Sequence, residues 1–219
     1  MATRLPLFPL SSVLVPGLVL PLHVFEPRYR VLVKALMELP DDAERQFGVV
    51  AIRAGREVGA DGVRALHAVG CTAELREVTP YADGRFDLVT VGETRFRLVG
   101  LDEEAGTPYH TGLVEFLPEQ DGEGDLAALT ARVTARFATY RELLGVAVTE
   151  LPRQPQVVSY LVAAAVVLDL PDRQALLEQP TTAERLRAEL DVLRRECALV
   201  EKFRSLPAVE LSRETWVAN

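Results

Sequence analysis

The pattern of apolar positions changes near the middle of the chain. Up to residue 117, apolar residues form short runs separated by glycine, proline and acidic turns, which is typical of β-strands. Beyond residue 124 they recur every three to four positions, which predicts helices. The segment PEQDGEG at 118–124 is acidic and rich in glycine. We therefore predict a β-rich lobe over residues 1–118, a helical lobe over 119–206 and a tail over 207–219, which contains Trp216.

The most apolar stretch is LPLFPLSSVLVPGLVLPLHVFEPRYR at residues 5–30. Its prolines exclude one long strand or a membrane helix, because proline cannot donate to a ladder and fixes its own φ. We expect short strands over Ser12–Val15 and Leu18–His23, joined by a tight turn at Pro16-Gly17. A helix is predicted over Pro27–Met37, because proline suits a first turn and a helical apolar stripe follows.

Several further short strands are predicted in the β-rich lobe. Gly70–Thr79 and Phe86–Val91 flank Ala82-Asp83-Gly84 and form a predicted hairpin, since Asp-Gly adopts positive φ readily. The other predicted features are a strand at Gln46–Ile52, a loop at Arg53–Gly62, a turn at Gly92-Glu93, a strand at Arg95–Leu101, a loop at Asp102–Pro108 and a strand at His110–Leu117. Because so many short strands need their edges covered, we predict a closed or nearly closed barrel.

The second lobe is predicted to be a helical bundle. Asp125–Leu144 carries apolar residues at helical spacing, and Asp125 is its predicted N-cap. Gln156–Leu170 is apolar nearly all round, which indicates the central helix of a bundle. A short helix is expected at Asp172–Glu178, and the capping box Thr181–Glu184 opens a long final helix. The two lobes together predict an α+β protein.

Composition and charge narrow the class of protein. The 219 residues are 48% hydrophobic and 26% charged, which is ordinary for a globular chain. The net charge of −8 argues against a nucleic-acid surface, which is normally basic. We expect no membrane span and no signal peptide, because prolines interrupt the apolar runs. A cytoplasmic setting is expected, with Cys71 and Cys197 as buried free thiols.

A search for catalytic and metal-binding patterns gives a negative result. A phosphate-binding loop needs Gly-Lys-Ser/Thr, but Lys34 precedes alanine and Lys202 precedes phenylalanine. Both lysines are predicted on helix surfaces, which disfavours a Ser-Lys hydrolytic dyad. His23, His67 and His110 are scattered, whereas a metal site needs clustered ligands. We therefore predict no catalytic, cofactor-binding or metal-binding residues.

The candidate contact residues lie where the first segment meets the first helix. Phe25, Arg28 and Tyr29 are predicted to contact a bound peptide, together with the junction of the two lobes. The alternative is that these side chains only fasten the helix to the barrel. Glu26 and Arg28 flank Pro27 and could bind a charged group of a ligand, but we expect an internal ion pair or a hydrogen bond to a strand end. His23 is expected to be packed or capped and not to be a ligand.

Four segments resemble the N-terminal domain family of Lon protease. They are the opening stretch, Gly92–Leu98 (GETRFRL), Leu176–Glu178 (LLE) and Glu184–Leu186 (ERL). The resemblance covers roughly residues 5 to 205 and is greatest to free-standing bacterial members and the corresponding region of cereblon. It implies a PUA-like pseudo-barrel joined to a helical lobe. In Lon this region helps to recognise protein substrates and to assemble the oligomer.

The chain departs from full-length Lon because its sequence has no ATPase module and no protease domain. It also has no counterpart of the thalidomide-binding domain of cereblon, which needs a cysteine zinc site. The resemblance therefore implies a non-catalytic module that binds unfolded or apolar polypeptide segments, with a protease or a chaperone as a candidate further partner. A hydrolase or peptidase with an unrecognised site is one alternative, and it would need a cleft with strongly shifted pKa values. An RNA-binding PUA-like module is the other, and the acidic balance disfavours it.

Overall fold

The computed structural model describes residues 2–40, 43–55, 63–148 and 150–204. Strands and one helix come first: β1 (Thr3–Leu10), β2 (Val19–Val24), α1 (Pro27–Met37), β3 (Gln46–Gly55), β4 (Val63–Leu66), β5 (Val69–Pro80), β6 (Phe86–Leu101) and β7 (Thr111–Phe116). Helices follow: α2 (Leu126–Leu143), α3 (Pro155–Ala165), α4 (Leu170–Glu178) and α5 (Thr182–Arg204). The α+β class is therefore confirmed. The last strand and α2 flank the predicted lobe boundary.

The strands close into a pseudo-barrel, as predicted. β1, β7, β6, β5 and β3 are hydrogen-bonded in that order, and a parallel pairing of β1 with β3 closes the ring. Residues 3–6 of β1 pair with β7, whereas residues 7–10 pair with β3. Each half of β1 thus has one strand neighbour among the described residues and one unpaired side. The nitrogen atoms of Pro6 and Pro9, which carry no hydrogen, can face that unpaired side without loss of a ladder hydrogen bond. The expected strand at Ser12–Val15 is wrong, because β1 ends at Leu10 and the next strand, β2, begins at Val19.

Gly92 lies inside a strand and not in the predicted turn. β6 runs unbroken from Phe86 to Leu101. The register of β5 against β6 shifts here: Cys71 pairs with Arg95, but Ala73 pairs with Gly92, which is a β-bulge. A Cβ atom on Gly92 would lie 2.3 Å from the carbonyl oxygen of Val15. The glycine therefore allows the backbone near Val15 to cross β6 closely.

Replacing Gly92 with valine should lower the free energy of unfolding by about 1–3 kcal/mol. The side chain would push Val15 away and strain two backbone bonds, from Gly17 N–H to the Gly92 carbonyl (2.7 Å) and from Gly92 N–H to the Leu18 carbonyl (2.9 Å). Gly100→Val is the control, because Gly100 lies on the same strand with open space around its Cβ direction. Urea denaturation measures both variants, and equal losses would contradict the close-approach explanation.

α1 packs against the strands and has the predicted bounds. It begins with Pro27 at its first position and buries four side chains against the strands. These are Tyr29, Leu32, Val33 and Leu36, which join Phe8, Val24, Phe47 and Leu88 in one apolar cluster. The first segment and α1 are therefore held by the same core.

The helical lobe has its own core between α2, α3 and α5. The predicted caps are confirmed: Asp125 Oδ1 accepts a hydrogen bond from the N–H of Ala128 (3.0 Å), and Thr181 Oγ1 accepts one from the N–H of Glu184 (3.2 Å). The single helix expected over Gln156–Leu170 is wrong, because α3 ends at Ala165 and α4 begins at Leu170. α3 is also not buried all round, which leaves part of its apolar surface open.

Two predictions fall outside the described residues. Positions 53–55 of the expected loop at Arg53–Gly62 belong to β3, and positions 56–62 are not described. The tail at 207–219 with Trp216 is likewise not described. No helix in the described part of the chain is long and apolar enough to cross a bilayer. The predicted domain limits themselves stay predictions.

Candidate functional site

A cavity of about 200 Å³ opens where β2 leads into α1, and we call it the α1 pocket. Phe25 is 50% exposed, whereas Tyr29 is buried and stacks on Phe8 with 4.0 Å between ring centroids. Both predicted aromatic residues therefore line one pocket, Phe25 on its exposed side and Tyr29 inside it. The full lining is Phe8, Pro9, Leu10, Leu22, His23, Val24, Phe25, Glu26 and Tyr29.

Arg28 lies beside the α1 pocket and does not line it. Its guanidinium pairs with Glu26 Oε2 at 3.1 Å and lies over the Tyr29 ring, 4.6 Å from the centroid. The expected ion pair between Glu26 and Arg28 is confirmed. These contacts hold the first turn of α1 in place. A direct contact between Arg28 and a bound peptide stays a prediction.

His23 is held by hydrogen bonds next to Phe25. Its Nδ1 lies 2.6 Å from Asp87 Oδ1, and the Tyr81 hydroxyl donates to the other oxygen of Asp87 at 2.5 Å. The hydrogen bonds from Tyr81 and His23 lower the pKa of the Asp87 carboxyl below its usual value. The His23 ring packs beside the Phe25 ring, with 6.3 Å between centroids. The imidazole is thus oriented by a carboxylate, as expected of a capped histidine.

A second cavity, of about 320 Å³, lies between the barrel and α3, and we call it the junction groove. Val157 and Leu161 are one turn apart on α3, and each is 39% exposed. They form the apolar side of the groove, opposite the turn before β2. The full lining is Pro16, Gly17, Val91, Gly92, Glu93, Gln156, Val157, Tyr160 and Leu161.

Arg95 fastens the two lobes behind the junction groove. Its side chain is only 1% exposed, and its Nε donates to Glu119 Oε1 at 2.7 Å. Its Nη1 donates to the carbonyls of Leu177 (2.9 Å) and Gln179 (2.6 Å) at the end of α4. One strand residue therefore contacts both the segment between the lobes and the helical lobe.

Glu119 is the centre of this buried polar network. Its carboxylate accepts hydrogen bonds from the Tyr160 hydroxyl (2.5 Å) and from Arg185 (3.4 Å) as well as from Arg95. Burial acts to raise the pKa of Glu119, but the Tyr160 hydrogen bond and the Arg185 and Arg95 cations outweigh it and hold the pKa below its usual value. Arg185 also donates to Ser159 Oγ at 3.0 Å. Glu119 is thus an ionised and fully engaged carboxylate, which suits a structural role better than proton transfer.

The alternation Arg95-Phe96-Arg97 by itself indicates that both arginines share one face of the strand, opposite Phe96. Arg97 is exposed, but Arg95 is buried because the end of α4 covers it. Because the sequence does not reveal this cover, the role of Arg95 in joining the two lobes was not predicted. The signals in the sequence were its place in the GETRFRL segment and the presence of Arg185 in the ERL segment.

The two lysines and the two cysteines line neither the α1 pocket nor the junction groove. Lys34 and Lys202 are exposed on α1 and α5, as predicted. Cys71 and Cys197 are buried free thiols, and burial raises the pKa of each, which makes both poor nucleophiles. Within the described ranges, no three His, Cys, Asp or Glu side chains cluster closely enough to hold a metal ion.

Comparison with known proteins gives a consistent result. Residues 4–195 match the family model of the ATP-dependent protease La (LON) substrate-binding domain. Among curated relatives, Lon protease 2 of Herpetosiphon aurantiacus is 32% identical over 209 residues, covering 90% of this chain and 24% of the relative. Lon protease 2 of Myxococcus xanthus is 30% identical over 201 residues, covering 88% of this chain and 24% of the relative. The chain thus spans about a quarter of the length of these relatives.

Two solved structures share the fold. A Lon N-terminal domain protein from Xanthomonas campestris superposes with a TM-score of 0.65 at 28% identity, covering 86% of this chain and 98% of that one. The N-terminal domain of Mycobacterium avium complex Lon protease gives a TM-score of 0.67 at 18% identity, covering 88% and 98%. The matching family model describes the substrate-binding domain of Lon and not its ATPase or protease domain. The chain therefore belongs to the LON substrate-binding domain family.

Proposed function

We propose that this chain is a non-catalytic cytoplasmic module that binds exposed apolar segments of other polypeptides. The observation that carries the proposal is Phe25, a half-exposed aromatic side chain above an apolar pocket. The family membership supports it, because the matching domain is described as substrate-binding. A protease or a chaperone that receives the bound segment is part of the proposal.

The physical basis is the apolar surface on either side of β2. The α1 pocket adjoins its end, and the junction groove with Val157 and Leu161 adjoins its beginning. Large exposed apolar side chains next to a concave surface are typical of sites that bind peptides. Burying an apolar client side chain in such a pocket contributes about 1.5–3 kcal/mol.

Replacing Phe25 with alanine should weaken binding of an apolar peptide about tenfold, because truncation of an aromatic anchor typically costs more than about 1 kcal/mol. The probe is a fluorescein-labelled peptide that alternates leucine and serine, followed by anisotropy. The wild-type chain should bind it with a dissociation constant of roughly tens of micromolar. A peptide of equal length without apolar residues should not bind.

Phe116→Ala is the matched control, because Phe116 is similarly exposed, at 42%, and lines neither cavity. It should leave the affinity unchanged. The proposal fails if the wild-type chain binds neither the apolar peptide nor a permanently unfolded protein such as carboxymethylated lactalbumin. It also loses its structural basis if the two alanine variants bind equally well.

A further inference from the structure

β2 is an edge strand with one open side. It pairs with β6 and with no other strand of the described residues. The N–H of Gly92 donates to the Leu18 carbonyl at 2.9 Å, and facing residues of an antiparallel pair alternate between bonded and non-bonded positions. Even-numbered residues of β2 therefore bond to β6, and the backbone groups of odd-numbered ones point away from it. Pro21 agrees with this assignment, since its missing N–H falls on the open side.

The open side of β2 has hydrogen-bonding groups at the spacing of a strand. Val19 offers an N–H and a carbonyl, Pro21 offers a carbonyl, and His23 offers an N–H and a carbonyl. The described residues form no backbone bond to these groups outside the sheet. Val19, Pro21 and His23 are all exposed, and Val19 is 56% exposed. An extended polypeptide backbone supplies the complementary donors and acceptors at the same spacing.

The two cavities lie at opposite ends of this edge. Gly17, just before β2, lines the junction groove, and Val24 and Phe25 at its end line the α1 pocket. Positions 17–25 would face about nine residues of an extended segment, at about 3.3 Å per residue. The edge and the two cavities thus form one linear site, with hydrogen-bonding groups in the middle and an apolar cavity at each end.

We propose that a client polypeptide binds as an additional β-strand along the open edge of β2, with an apolar side chain in each cavity. The inference rests on the proposed function and adds the mode of recognition. Main-chain hydrogen bonds are independent of the client's sequence, so the side chains that enter the two cavities supply the selectivity. The site therefore favours extended segments with apolar residues several positions apart.

A client fits this edge better than a second copy of the chain does. Two β2 strands paired around a two-fold axis would each place Pro21 opposite an outward-facing residue of the other. Such a pairing lacks two donors, one from each proline. Against a client strand only one hydrogen bond is lost, the one that the N–H of Pro21 would have donated, because the client need not have a proline of its own.

The direct test removes the two outward-facing N–H donors with Val19→Pro and His23→Pro together. Pro21 shows that proline fits an outward-facing position of this strand, and the bonds to β6 involve the alternate residues. The control is Val19→Thr with His23→Thr, which changes the same side chains but keeps both donors. We expect the proline pair to bind the leucine–serine peptide about tenfold more weakly than the threonine pair, as two lost hydrogen bonds predict.

A second measurement uses the wild-type chain and needs no variant to fold. Two versions of the leucine–serine peptide carry N-methyl groups, one version on its leucines and one on its serines. A slip of one residue would move the leucines away from the cavities, so only one set of amides can face β2. One version should therefore lose binding and the other should keep it. Amide exchange should also slow at Val19 and His23 when the unmodified peptide binds.

Each result supports or overturns the inference. Equal binding of the two methylated peptides, or of the proline and threonine pairs, would overturn strand addition while the proposed function stands. No binding of the unmodified peptide by the wild-type chain would instead overturn the proposed function. A concentration-dependent dimer that the proline pair abolishes, without peptide binding, would assign the edge to a second copy.

Discussion

Replacing Arg95 with alanine should lower the free energy of unfolding by about 3–5 kcal/mol, because it removes one partner of a buried ion pair. Glu119 would lose its shortest ion-pair contact, at 2.7 Å. The carbonyls of Leu177 and Gln179 would lose their donor at the end of α4. The void left by the guanidinium would add to the loss, since Arg95 is almost fully buried.

Arg97→Ala is the matched control, because Arg97 lies two residues along the same strand and is exposed. Surface substitutions of this kind usually change stability by less than about 0.5 kcal/mol. Equilibrium urea denaturation, followed by far-ultraviolet circular dichroism, measures both variants. If the two variants lose the same stability, the network around Glu119 does not hold the lobes together.

A further measurement separates the joining of the lobes from general stability. Limited proteolysis at residues 118–124 should be faster in Arg95→Ala than in the control, because this segment lies between the lobes and includes Glu119. Rapid cleavage with intact lobes would indicate that the junction has opened. Uniform degradation would indicate global unfolding instead.

Features set by local residue chemistry were predictable from the sequence. The bounds of α1 follow from Pro27 at its first position and the apolar stripe behind it. The start of α5 follows from the capping box at Thr181 and Glu184, whose side chains bond as the motif requires. The turn at Gly84 follows from the Asp-Gly pair, and its φ is +82°.

Features set by distant contacts were not predictable in the same way. β1 is a strand despite Pro6 and Pro9, because residues 3–6 pair with β7 and residues 7–10 pair with β3, both distant in the sequence. Gly92 indicated a turn, but it is needed for the close passage of Val15. In both places the partner that decides the structure lies elsewhere in the sequence.

The candidate site likewise contains parts that local sequence predicted and parts that distant contacts decide. Phe25 and Tyr29 were proposed from their place between strand and helix, and both line the α1 pocket. The junction of Arg95 with Glu119 was missed, because the two residues are 24 positions apart and each fits an ordinary polar position. The open edge of β2 depends on the pairing of the whole sheet, which no local pattern contains.

Glu189→Gln should stabilise the protein increasingly as the pH rises above about 4.5, the usual pKa of a glutamate. Glu189 lies on α5 and is 1% exposed, and neither of its carboxyl oxygens has a hydrogen-bond partner among the described residues. Burial raises its pKa well above the usual value, and the Arg185 cation one turn earlier opposes this only in part. The native state therefore retains a proton that the unfolded chain releases.

The direction of the pH dependence follows from this proton. Its stabilising effect is complete below the pKa of the unfolded carboxyl and is lost as the pH rises towards the native pKa. Glutamine cannot ionise, so the variant avoids the loss. The stability difference between variant and wild type should grow by at most about 1.4 kcal/mol per pH unit over that interval. Glu119 affects both proteins equally and cancels in the difference.

Asp191→Asn is the control, because Asp191 is an exposed carboxyl on the same helix, paired with Arg194 at 2.9 Å. Exchanging this exposed carboxyl for an amide should change the free energy of unfolding by less than about 1 kcal/mol. Urea denaturation at several pH values measures all three proteins. A Glu189→Gln variant that is less stable than the wild type at pH 7, with an unchanged pH slope, would show that Glu189 is ionised and that Arg185 compensates its charge.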